Sequence, residues 1–147
     1  MADDTFRTIV VGSDGSAGAA KAVAWAATLG AQTGCTVVLV HAFEPLAELE
    51  HEPGVDFATI RDRRLDEMAE QWAAPLMDAG VAHRTVLIED RPIEALVDTA
   101  REQHADLVVI GSHGRSGWRE RVFGSVATGL PGRLDCAVAI VPTDPHA

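Results

Sequence analysis

The chain has 147 residues, 47% of them hydrophobic and 23% charged, and a formal net charge of -10. That length fits a single domain, taken as residues 1–147, with one core and no need of a disulfide or metal staple. The acidic charge repels a nucleic-acid backbone and no apolar run approaches the ~20 residues of a membrane span, so nucleic-acid and membrane partners are set aside. The start, Met-Ala-Asp-Asp-Thr, is acidic and runs straight into a strand-like segment. It lacks the basic-then-apolar pattern of an export signal, and a cytoplasmic location is expected. Cys35 and Cys136 are the only cysteines and show neither CxxC nor zinc spacing, so both read as small buried apolar residues.

Phe6 to Val11 reads as a first strand, followed by the turn Gly12-Ser13-Asp14-Gly15-Ser16, in which Ser16 can cap a helix. Ala19, Ala22, Val23 and Ala26 then recur at helical spacing until Gly30 to Gly34 ends the run. Cys35 to Ala42 is a second strand, rich in Val and Leu with little alternation, as in a strand covered on both faces. Phe43 to Gly54 carries prolines and acids without a period and is expected to be a loop. Val55 to Gly80 looks helical, with Leu65, Met68, Ala69, Trp72 and Leu76 on one stripe, and Pro75 predicts a kink or break near Ala74.

Val81 to Ile88 is a third strand, and Pro92 suits the first position of a helix whose Ile93, Leu96, Val97 and Ala100 follow the i, i+3, i+4, i+7 pattern. Asp106 to Ile110 is a fourth strand. It hands over to a glycine-rich stretch, Gly111 to Ser125, and then to a helix from about Gly124 to Arg133 that Leu130-Pro131-Gly132 shortens or bends. Ala137 to Val141 is a fifth strand, closed by Pro142. The alternation predicts an α/β fold: a five-stranded parallel sheet with helices on both faces, Rossmann-like, in a flavodoxin-like or related doubly wound order. Ligands of such sheets bind beyond the carboxyl ends of the strands, where the order reverses. If strands one and four are neighbours there, Gly12-Ser13-Asp14 faces the Gly111 to Ser125 loop across one crevice.

The loop spacing is Gly111-x2-Gly114-x9-Gly124-Ser125. Gly111 and Gly114 can let the chain leave the strand sharply and approach a ligand, while Gly124 and Ser125 place N–H groups and a hydroxyl at a helix start, which suits phosphate binding; a flexible surface loop is the alternative. The pattern is neither Walker A nor GxGxxG. Arg115, Arg119 and Arg121 against Glu120 make the stretch locally basic within an acidic protein, and Arg115 can neutralise phosphate charge. Asp14 can accept from ribose hydroxyls or amino groups, or can simply cap its turn.

Ile9-Val-Val-Gly-Ser-Asp14-Gly-Ser16, Leu39-Val-His-Ala42 and the G-x2-G-x9-G-S loop together resemble the universal stress protein family, specifically its ATP-binding branch, over almost the whole chain. The resemblance implies strand order 3-2-1-4-5 in the adenine nucleotide alpha-hydrolase-like arrangement. It also implies ATP, with Mg2+, in the crevice, and a homodimer. It puts Gly12, Ser13 and Asp14 against the nucleoside, with Asp14 near ribose or base and the Ala42 backbone at adenine. Gly111, Ser112, His113, Gly114, Arg115 and Ser116 surround ribose and phosphates, and Gly124, Ser125 and Val126 close on the phosphates. Departures from the family pattern are Gly18, where a second serine is common, Asp90 in place of glycine, the Leu130-Pro131-Gly132 interruption, and Ala137 in place of proline.

The implied roles are binding roles, and no catalytic residue is assigned. His113 is a contact without a nucleophile or orienting acid beside it, His41 reads as a satisfied core histidine, and Trp118 as a lid or a partner-facing aromatic. The implied order places strand five at a sheet edge, where Ala137, Val138, Ala139, Ile140 and Val141 carry no charge to discourage pairing; a dimer through this edge removes the hazard. It also sets Cys35 and Cys136 three strands apart, roughly 14 Å, too far for a disulfide. The expected function is a nucleotide-dependent sensor or signalling module in stress response, with at most slow ATP hydrolysis. An ATPase or nucleotidyl-transfer enzyme using the same crevice stays open as the alternative. A flavin electron carrier is disfavoured, because its phosphate loop would follow strand one, where Ser13-Asp14 stands.

Overall fold

The computed structural model describes residues 6–112 and 125–142. Among them, five strands form one parallel sheet in the order β3-β2-β1-β4-β5, from β1 (Thr8–Gly12), β2 (Thr36–Ala42), β3 (His83–Ile88), β4 (Leu107–Gly111) and β5 (Ala137–Val141). The three inner strands are buried through their centres while β3 and β5 are half-exposed. This is why β2 and β4 read as unbroken apolar runs. As expected, β5 is an edge.

Helix α1 (Ala17–Thr33) starts where Ser16 Oγ accepts from the Ala19 N–H at 3.2 Å. It ends at Gly34, whose left-handed φ of 75° and N–H bond to the Gly30 carbonyl close the last turn. Its Ala22, Val23, Ala26 and Ala27 pack on one face of the sheet with Ala73, Leu76 and Val81. The other face is covered by α5 (Pro92–Glu102) and α6 (Ser125–Gly129), through Ala95, Leu96, Val97, Ala100, Ala127 and Leu130. The two crossovers on each side of β1 thus lie on opposite faces, as right-handed connections in this strand order require.

Two expectations are corrected in the β2–β3 crossover. Phe43 to Gly54 is not a loop, because Pro45–His51 forms helix α2, with Pro45 in its first turn. Its side chains are half-buried or exposed, so no apolar period marks it. The long helix expected from Val55 to Gly80 is α3 (Phe57–Glu67), a π-turn (Met68–Trp72) and α4 (Ala74–Asp78). The break near Pro75 is present, and the Ala73 N–H reaches back five residues to the Met68 carbonyl at 2.9 Å. That extra residue shifts the inward stripe from Ile60, Arg64 and Met68 to Ala73 and Leu76, leaving Ala69 exposed.

Pro131–Arg133 is a 3-10 turn, so the last helix is short, as Leu130-Pro131-Gly132 predicts. Cys35 and Cys136 are free thiols. Burial, aided by the Asp106 and Asp135 carboxylates, pushes the Cys136 thiol up and keeps it protonated. Among the described residues, no helix is long and apolar enough to cross a membrane.

Candidate functional site

The sheet brings three strand ends together. β1 pairs with both β2 and β4, with Gly12 opposite Val40 and Val11 opposite Val109. The connections diverge between β1 and β4, so the order reverses there and leaves a crevice beyond their carboxyl ends. Gly12, Ser13 and Asp14 leave β1 at that point, Gly111 and Ser112 leave β4, and Ala42 ends β2. Ser125 and Val126 open α6, whose Ala127 packs in the α5-side cluster. His113, Gly114, Arg115, Ser116 and Gly124, along with Trp118, lie outside the described residues.

The turn after β1 is closed by its own side chains. Asp14 Oδ1 accepts from the Ser16 N–H at 2.9 Å and Ser13 Oγ accepts from the Gly15 N–H at 3.2 Å. Gly15 has φ 81°, a left-handed conformation that a side chain would strain. The Ser13 N–H donates to the Val40 carbonyl at 2.9 Å, so the turn begins as an extension of the β1–β2 ladder. Asp14 therefore does cap its turn.

Gly111 is required for a reason the loop pattern did not show. A Cβ there would lie 2.8 Å from the Gly18 carbonyl oxygen and 3.0 Å from its carbon. Its lack of a side chain lets the first turn of α1 sit directly on the end of β4. On the other side of the crevice floor, a Cβ at Gly12 would meet the Leu96 methyls at 3.1 and 3.3 Å. The Ser112 N–H donates to the Val141 carbonyl at 2.9 Å, and the residue is buried. The crevice floor is thus closely packed, hydrogen-bonded backbone, and among the described residues Asp14 is the carboxylate that lies in its turns.

Sequence reasoning missed a buried polar cluster behind Ser13. His41, only 5% exposed, is indeed a satisfied core histidine, with its Nδ1 2.8 Å from the Ser13 carbonyl oxygen. Its Nε2 is 3.0 Å from Arg64 Nη1. Arg64, 8% exposed, forks onto Glu48 Oε1 and Oε2 of α2, both at 3.1 Å. Its Nε faces Glu67 at 3.5 Å in an ion-pair contact and makes no hydrogen bond among the described residues. The Phe43 and Trp72 rings each lie 6.0 Å from the guanidinium carbon. An arginine in a run of charged residues, Arg61 to Arg64, gives no signal that one of them turns inward.

Among the described residues, no group of three or more His, Cys, Asp or Glu side chains is placed to hold a metal. A doubly wound parallel sheet with a glycine-lined crevice at its reversal defines a nucleotide-binding class of α/β protein. Within that class, the universal stress protein family profile matches residues 5–142, and the chain belongs to that family.

A universal stress protein of Thermus aquaticus is 31% identical over 137 residues, spanning 92% of this chain and 98% of the relative. One from Mycobacterium tuberculosis is 33% identical over 146 residues, covering 93% of this chain but 45% of the relative; the chain spans just under half the length of such mycobacterial relatives. Among solved structures, a universal stress protein in complex with cAMP is 27% identical with a TM-score of 0.73, over 96% of this chain and 100% of the other.

Proposed function

We propose that this chain is an adenine-nucleotide-binding stress-response module, with ATP, accompanied by Mg2+, as its ligand. The observation that carries the reading is the convergence of the Gly12-Ser13-Asp14 turn and the Gly111-Ser112 strand end at the β1/β4 reversal. The family relative bound to cAMP supports an adenine nucleotide. In this reading Asp14 accepts from ribose or base, and the Ala42 backbone meets adenine. Gly111 through Ser116 with Gly124, Ser125 and Val126 hold ribose and phosphates. An Mg2+ ion held by phosphates, water and few protein ligands suits a site with Asp14 as its carboxylate. In this reading the chain holds ATP and hydrolyses it slowly at most, acting as a cytoplasmic homodimer through the β5 edge.

Calorimetric titration with ATP and Mg2+, beside cAMP and GTP, tests the reading. Saturable binding of ATP with weaker GTP binding is expected. Absence of binding by any adenine nucleotide overturns it, and steady multiple turnover would move the protein to the ATPase alternative. Gly114→Val places a branched side chain where the loop spacing calls for bare backbone, and is expected to abolish ATP binding while the circular dichroism spectrum stays unchanged.

A further inference from the structure

We propose that His41 is a positioning residue of the nucleotide site: held as one tautomer between Arg64 and the Ser13 carbonyl, it fixes that carbonyl and with it the direction in which Asp14 is presented. The proposal rests on the nucleotide-binding reading above.

Both neighbours of the imidazole force the same proton position. A guanidinium only donates, so the Nε2 that lies 3.0 Å from Arg64 Nη1 carries the lone pair. A carbonyl only accepts, so the Nδ1 that lies 2.8 Å from the Ser13 oxygen carries the hydrogen. The ring is held from its sides as well, edge-on to Trp72 with centroids 5.0 Å apart. Arg64 is in turn fixed by its fork onto Glu48. The chain of contacts therefore runs from α2 through α3 and β2 to the turn that carries Asp14, every link buried or half-buried.

Ser13 is tied on both of its backbone groups, the N–H to Val40 and the carbonyl to His41. The peptide plane between Ser13 and Asp14 is thereby set, and Asp14 starts from a fixed backbone. An apolar residue in place of His41 would leave the Ser13 carbonyl without this donor, free to rotate the plane. Burial of the ring and the ion pair at the sheet's carboxyl end, beside the crevice and not in the central core, points to the same role.

The test uses the full chain, ATP with Mg2+, and the variants His41→Phe, His41→Asn and Arg64→Met. His41→Phe keeps the ring against Trp72 and removes both nitrogens, and is expected to weaken ATP affinity at least tenfold. His41→Asn restores an N–H at the place of Nδ1 and is expected to recover affinity to within about threefold of the unaltered chain; a purely structural role would predict that Asn, which loses the ring, is the worse of the two. Nitrogen-15 imidazole spectra of the unaltered chain should show the Nδ1–H tautomer, kept in Arg64→Met by the Ser13 carbonyl. Unchanged affinity in His41→Phe, or an Nε2–H tautomer in the unaltered chain, overturns the proposal while leaving the nucleotide reading standing. If the unaltered chain binds no adenine nucleotide, that reading falls and takes this one with it. Should His41→Phe not fold, the tautomer spectrum of the unaltered chain still decides.

Discussion

Gly111 and Asp106 show how single positions fix the floor of the crevice and the edges of β1. At Gly111 the obstacle to a side chain is the Gly18 backbone at 2.8 Å, which cannot rotate aside. Gly111→Ala must therefore push α1 off β4, with an expected loss of about 1–3 kcal/mol in urea unfolding; an unchanged midpoint would contradict the packing described. Asp106 accepts from the Arg7 and Thr8 N–H groups at 2.8 and 3.0 Å, and these bonds hold its carboxyl below its ordinary value. With the folded group depressed, the unfolded chain binds more protons in the acid window. Its contribution is thus fully present above the unfolded value near ~3.9 and is lost as pH falls through the lower folded value. Asp106→Asn is expected to cost about 1 kcal/mol at pH 7 and to flatten the decline of stability between pH 4 and 2, as followed by thermal melts across that range.

The β2–β3 crossover is where local sequence and structure part. Helix α2 is secured by charge: Glu48 pairs with buried Arg64 across the α2–α3 gap at 3.1 Å, and the His51 ring reaches the Ala47 carbonyl at 2.7 Å. A helix held through ion pairs, with Arg63 also reaching Glu52 at its end, carries no apolar stripe, so Phe43 to Gly54 reads as a loop. Glu48→Gln removes the nearer of two counter-charges of a buried guanidinium, and a loss of about 2–3 kcal/mol is expected, below the full cost of breaking a buried pair because Glu48 is partly exposed and Glu67 remains. Hydrogen exchange should show α2 opening first in that variant, with α1 and α5 unaffected; uniform protection would argue against the pairing. Elsewhere element boundaries were legible. The Ser16 cap, Pro92 in the first turn of α5 and the Pro131 interruption all act through backbone chemistry that each residue carries wherever it stands.

For the molecule as a whole, strand order sets both the crevice and the open edge. Among the described residues β5 pairs with β4 on one side only, and its Ala137 to Val141 run lacks the charges that usually guard an edge. A dimer is expected in sedimentation equilibrium at micromolar concentration; monomer alone, with and without ATP, would refute pairing through this edge. By itself the sequence determined the α/β class, the identity of the five strands, the break at Pro75 and the glycine positions, because periodicity, proline and glycine act over a few residues. The resemblance to a family supplied the strand order. Only the tertiary structure decided that Gly111 lies against Gly18, that His41 reaches Ser13, and that Arg64 alone of its charged run turns inward. Those contacts join residues 23 to 93 positions apart in the chain, through Arg64–His41 and Gly111–Gly18, and they follow from how two helices and a sheet pack, which no local pattern encodes.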